Sequence, residues 1–174
     1  MAAPVTTYQI IKDTTEHVVI KITGSFDGTS QESNGVRIQA NTLYGALDSS
    51  KANLLSSTAN TGPLPFYGLS LYRVWYDCSS TGDVQMYWNA ATPQTIFYFN
   101  GNGEYDGAGN WVTIPNNTKG TTGSVGDIGV VTRGMVANDS YTIITELRKD
   151  NAHYQRGQFN DPAAFNYGPY GTRP

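Results

Sequence analysis

The chain alternates apolar and polar positions in short runs that are closed by turn residues, which is the period of a half-buried β-strand. His17–Gly24 (HVVIKITG) shows it most clearly, with Val18, Ile20 and Ile22 on one face and Lys21 and Thr23 on the other. The same reading predicts strands over Thr6–Lys12, Val36–Ala40, Leu69–Asp77, Asp83–Asn89, Thr95–Asn100, Trp111–Ile114, Asp127–Arg133 and Ser140–Arg148. Leu69–Asp77 (LSLYRVWYD) is apolar or aromatic on both faces and is expected in the middle of a sheet. Strict alternation there sets Tyr72, Val74 and Tyr76 opposite Leu71 and Trp75. Asp83–Asn89 and Thr95–Asn100, joined by AATPQ, read as a hairpin. In the last strand Tyr141, Ile143, Thr145 and Leu147 alternate against Thr142, Ile144, Glu146 and Arg148.

Between these runs lie Gly, Asp, Asn and Pro clusters such as SFDGTSQESNG and STANTGPLPFYG. The stretch TLYGALDSSKANLL is the one place where a helical turn or two is expected, and Gly45 weakens it. About eight or nine short strands with no intervening helices favour an all-β antiparallel sandwich, jelly-roll-like, over a parallel α/β fold. The expected layout is a lead over residues 1–5, one domain over 6–149 and an extended C-terminal arm over 150–174, where the regular pattern stops.

Composition narrows the function. Of 174 residues only 14% are charged, and the formal net charge is −3. Eleven Lys and Arg are scattered rather than clustered, which argues against a nucleic-acid partner. Mean hydropathy is −0.39 and no apolar run approaches the roughly 20 residues of a membrane-spanning helix, so no membrane partner is expected. MAAPVTTYQI lacks the charged and apolar regions of a signal peptide; Met1 reads as a true start, and synthesis in the cytoplasm is expected. The single Cys78 has no partner for an internal disulfide.

Candidate chemistry is sparse, and neither an enzyme nor a cofactor is expected. Cys78 follows a strand-like run, and the two histidines, His17 and His153, lie far from it in sequence. Asn100, Asn102, Glu104 and Asp106 occupy alternate positions of NGNGEYDGAGN, a superficial calcium pattern. The glycine and the terminal acid that calcium needs are out of place, so a Gly-rich connection between two strands is the plainer reading and no metal is expected. Glu146 and Arg148 read as a solvent-facing ion pair rather than half of a hydrolytic carboxylate pair. No nucleophile elbow or phosphate-cradling helix start occurs. The acceptor-like triplets at Asn116 and Asn138 read as turns.

Aromatics are the informative class. Trp75, Trp88 and Trp111, with Tyr72, Tyr76, Tyr87 and Tyr98, either form a flat sugar-binding platform on one sheet or fill the core between sheets. The closing segment FNDPAAFNYGPYGTRP carries Phe159, Phe165, Tyr167 and Tyr170 among prolines and glycines, with no period to set them on a core face. Hiding each large ring is worth roughly 1.5–3 kcal/mol. Three fates are open for this arm: docking on a neighbouring molecule, folding back on its own domain, or disorder. The first makes Tyr154, Phe159, Phe165, Tyr167, Tyr170 and Arg173 the expected partner-binding residues.

The segments YQIIKDTTEHVVIKITGSFDG, VQMYWNAATPQTIFYFNGNGEYDGAGNWVTIPNNTKGTTGSVGDI and DSYTIITELRKD together cover most of residues 8 to 150. In these segments the chain resembles small virion structural proteins of tailed phages, particularly those infecting marine cyanobacteria. The resemblance implies a single β-rich domain without enzymatic activity, located on the virion at the capsid surface. Its implied role is capsid decoration or cement, with the major capsid protein and neighbouring copies of itself as partners and a homo-oligomer among its forms. A neck, tail or fibre position is equally compatible, and no binding residue carries over. Residues after Lys149 are extra to the resemblance. The rival from another class is a sugar-binding module for host surface glycans.

Overall fold

The computed structural model describes residues 4–33, 35–53, 62–107 and 112–155. These residues form an all-β fold of ten strands: β1 Val5–Asp13, β2 His17–Asp27, β3 Gly35–Ile38, β4 Leu69–Cys78, β5 Asp83–Trp88, β6 Gln94–Phe99, β7 Asn102–Tyr105, β8 Ile114–Pro115, β9 Ile128–Arg133 and β10 Ala137–Lys149. A six-stranded sheet runs β1-β2-β10-β4-β7, with β8 also on β4, and a four-stranded sheet runs β3-β9-β5-β6. Every pairing is antiparallel. No helix among the described residues is long and apolar enough to cross a membrane.

Period-two alternation becomes burial most directly in β2 and β10. Val18, Ile20 and Ile22 are fully buried, as are Ile143, Thr145 and Leu147 on the neighbouring strand. Their register, Ile143 against Ile22 and Thr145 against Ile20, puts both apolar rows on one face. The other sheet contributes Val84, Met86 and Trp88 from β5, Phe99 from β6, and Ile128 and Val130 from β9 to the same core. Each such side chain adds about 1.5–3 kcal/mol of burial. The β1–β2 turn is set locally, because the Thr14 hydroxyl donates to the His17 carbonyl at 2.9 Å and accepts from the His17 N–H at 3.0 Å. Close packing needs a glycine in β2: a Cβ on Gly24 would stand 2.3 Å from the Tyr141 ring, which lies across it.

The strand expected over Trp111–Ile114 shrinks to β8, with Val112 and Thr113 outside it, and three further expectations change. The alternation predicted along Leu69–Asp77 breaks at Tyr72, where the register with β10 jumps from Arg73 opposite Glu146 to Leu71 opposite Leu147. This bulge switches the phase, so Leu71, Val74 and Cys78 are all buried and Trp75 is exposed. The strand is internal, between β10 and β7, as expected. The Gly-rich Asn100–Asn110 stretch is not merely a connection, because Asn102–Tyr105 forms β7 and pairs with Val74–Asp77. The expected helical turn after residue 40 is only the 3-10 turn Ala40–Thr42. Beyond it Gly45 takes φ 78° and the chain makes isolated bridges, Ala46 to Tyr154, Leu47 to Asn53 and Asp48 to Pro63.

Candidate interaction surfaces

The ionisable groups inside the body hold it together. Lys149 has a fully buried side chain. Its ammonium donates to an Asp13 carboxylate oxygen and to the carbonyls of Thr14 and Tyr44, the latter two at 2.7 Å, and lies 5.2 Å from the Tyr154 ring centroid. Burial pushes this ammonium below the ordinary lysine range, against the upward pull of Asp13. Glu32, also buried, accepts from Arg37 Nε and from the Tyr141 hydroxyl. Cys78 is buried, and desolvation, with the Asp77 charge adding, pushes its thiol up to about 12, far from the thiolate a nucleophile needs. Glu146 does not pair with Arg148: its Oε1 stands 3.0 Å from His17 Nδ1. No group of three or more His, Cys, Asp or Glu that could hold a metal ion occurs among the described residues. Asn100 turns its amide inward to the carbonyls of Ser80 and Gly82.

The seven aromatics weighed as a sugar platform do not share a face. Trp88 and Tyr87 are buried, Tyr87 lying across Gly129 of the neighbouring strand. Tyr76 joins Phe97 and Phe99 at 5.0–6.2 Å between ring centroids and packs on the core. Tyr98 is exposed on β6 of the smaller sheet, Tyr72 stands edge-on to His17 at 5.2 Å, and Trp111 lies outside the described residues. Among the described ones, Trp75 is the exposed aromatic that borders a cleft. It is 38% exposed and lines an open cleft of about 390 Å³ with Asp77, Asn102, Glu104 and Thr142.

Of the six residues expected to bind a partner, Tyr154 is the one within the described residues. It is buried rather than presented: its hydroxyl donates to the Ala40 carbonyl at 2.8 Å and its ring packs 5.6 Å from that of Tyr67. Burial, with Asp150 next, pushes its hydroxyl well above the ordinary tyrosine range. Ordered contacts therefore continue past Lys149. The Asp150 N–H bonds the Gly68 carbonyl, the Asp150 carboxylate meets His153 Nδ1, and the Gln155 N–H bonds the Gly45 carbonyl at 2.6 Å. Phe159, Phe165, Tyr167, Tyr170 and Arg173 lie outside the described residues.

The surface that the sequence reading did not single out is β1. Tyr8 and Ile10 pair with Ile22 and Ile20, so they share the core-facing side of β2, yet Tyr8 is 57% and Ile10 41% exposed. Val5 and Ile11 are exposed as well. The adjacent Ile10–Ile11 pair was the available signal, since two successive residues on a strand place apolar side chains on both faces.

No protein-family model, no curated protein and no solved structure matches this chain.

Proposed function

We propose that the chain is a non-enzymatic virion structural protein of a tailed phage, acting as a capsid decoration protein that binds the major capsid protein and stabilises the head shell. Its body is read as a jelly-roll-like sandwich and its residues beyond Gln155 as an adhesive arm. The observation that carries this reading is the anchoring of Tyr154 and Gln155. The aromatic-rich segment that follows departs from a fixed point of the body, which limits the entropy lost when the segment docks. A charge content of only 14% suits lateral contact with other proteins, and many copies on a lattice multiply weak contacts. The test is truncation after Gln155. The shortened chain is expected to melt as the parent does and to fail to attach to purified phage heads. Attachment equal to the parent's refutes the arm.

A second reading is carried by the Trp75 cleft. An exposed indole flanked by Asp77, Asn102, Glu104 and Thr142 offers a stacking face with hydroxyl-binding groups around it, the recipe for holding one sugar ring of a host glycan. Saturable binding on a glycan array that Trp75→Ala abolishes would favour this reading.

A further inference from the structure

We propose that β1 pairs with β1 of a second copy, edge to edge and antiparallel about a two-fold axis at Gln9, joining the two larger sheets into one. Among the described residues β1 pairs only with β2, so the backbone groups along its other side are free to pair with a strand from outside. Proteins blunt such edges by keeping them short, bulged or charged. The other edges here follow that rule: β7 has four residues and carries Glu104, β3 has four residues, a register shift and Arg37, and β6 has a register shift on β5. β1 has nine residues and no charge from Val5 to Ile11. Its register shift falls after Ile10, beyond the central Tyr8–Gln9–Ile10.

A second copy is the occupant that this pattern fits. A two-fold contact is isologous, so the edge must complement itself. With the axis at Gln9, Tyr8 stands opposite the partner's Ile10 and Ile10 opposite the partner's Tyr8. Two aromatic/β-branched cross-strand pairs result, on the face where both side chains now meet water. Charge does not oppose the contact. Lys12 of one copy comes level with the partner's Thr6, six positions from the partner's Lys12. At about 3.3 Å per residue that is roughly 20 Å, twice the screening length of about 10 Å at moderate salt. This inference stands on β1 alone and does not depend on a virion role.

The test is sedimentation of the full chain at micromolar concentration, with two variants. The parent is expected to be a dimer. Ile10→Lys sets two cations into the centre of the contact and is expected to give a monomer with unchanged circular dichroism, because its site is on the surface. Gln9→Cys is expected to form a covalent dimer under mild oxidation, with the parent as control, since Cys78 is buried. A monomeric parent, a dimer that survives Ile10→Lys, or a dimer without the Gln9→Cys crosslink would each overturn the proposal. So would a dimer that vanishes on truncation after Gln155, which would instead seat the terminal segment on β1. Failure of any of these arms leaves the head-attachment result unaffected, so the two readings fall separately.

Discussion

β1 and β2 are hydrogen-bonded neighbours with similar apolar patterns and opposite surroundings. On β2, Val18, Ile20 and Ile22 are sealed. One strand away Tyr8 and Ile10, on the same face, meet solvent. Alternation decides which way a side chain points; whether anything covers it depends on what packs against it. Core residues from both sheets seal the β2 row and leave these two β1 side chains open.

The largest effect expected on this contrast comes from Lys149, the residue that fastens the end of β1 to the covered region. Lys149→Ala removes an ammonium that ties Asp13, Thr14 and Tyr44 together. It also takes the Lys149 donor from the Thr14 and Tyr44 carbonyls and leaves the Asp13 carboxylate with the Tyr44 N–H in place of a cation. Breaking one side of a buried pair costs about 3–5 kcal/mol, and partial rehydration of Asp13, whose side chain is 16% exposed, points to the lower end. Urea unfolding measures the loss. Hydrogen exchange should speed up first in β1, and unchanged β1 protection would mean that Lys149 does not hold this strand.

The next effect compares the strands directly. Ile20→Ala empties a fully buried site and is expected to cost about 2–5 kcal/mol. Ile10→Ala, directly across from it, is expected to cost less, about 1–2 kcal/mol, because the side chain is already 41% exposed and its loss leaves no sealed cavity. If β1 pairs with a second copy, the Ile10→Ala cost grows with protein concentration and the Ile20→Ala cost does so much less. Equal costs in dilute solution would show that β1 is covered after all.

These two strands also mark what can be read along the chain. The β5–β6 hairpin and the faces of β2 and β10 were legible because alternation and turn residues are local properties. The phase of β4 was not, because the bulge at Tyr72 arises from pairing with β10. NGEY has little strand propensity, and β7 exists because Val74–Asp77 offers it a ladder. The burial of Tyr154, in the polar run NAHYQ, depends on Ala40 and Tyr67, far off in sequence. Of the candidate site, Trp75 was legible only as one of seven aromatics open to a platform or a core role; its exposure follows from the same bulge at Tyr72. The exposed face of β1 was not legible, since it depends on what distant parts of the chain leave uncovered.

The smallest effect probes how dry the covered side is. Cys78 lies there, opposite Tyr141, with its thiol pushed from 9.0 up to about 12. Between these values the folded chain keeps a proton that the unfolded chain has released. The folded state therefore binds more protons, and stability falls as pH rises through that window. At pH 10 the loss from Cys78 alone is on the order of 1 kcal/mol relative to pH 7. Tyr141 and Tyr154, raised chiefly by burial, add losses of the same sign above pH 10. Cys78→Ala changes stability at pH 7 by its own packing cost, but it should narrow the difference between pH 7 and pH 10 by about that amount. The same burial should keep native Cys78 unreactive toward a thiol reagent at pH 8 until denaturant is added. Labelling at the rate of a free thiol would mean that water reaches the covered side as it reaches β1, and the contrast between the two strands would disappear.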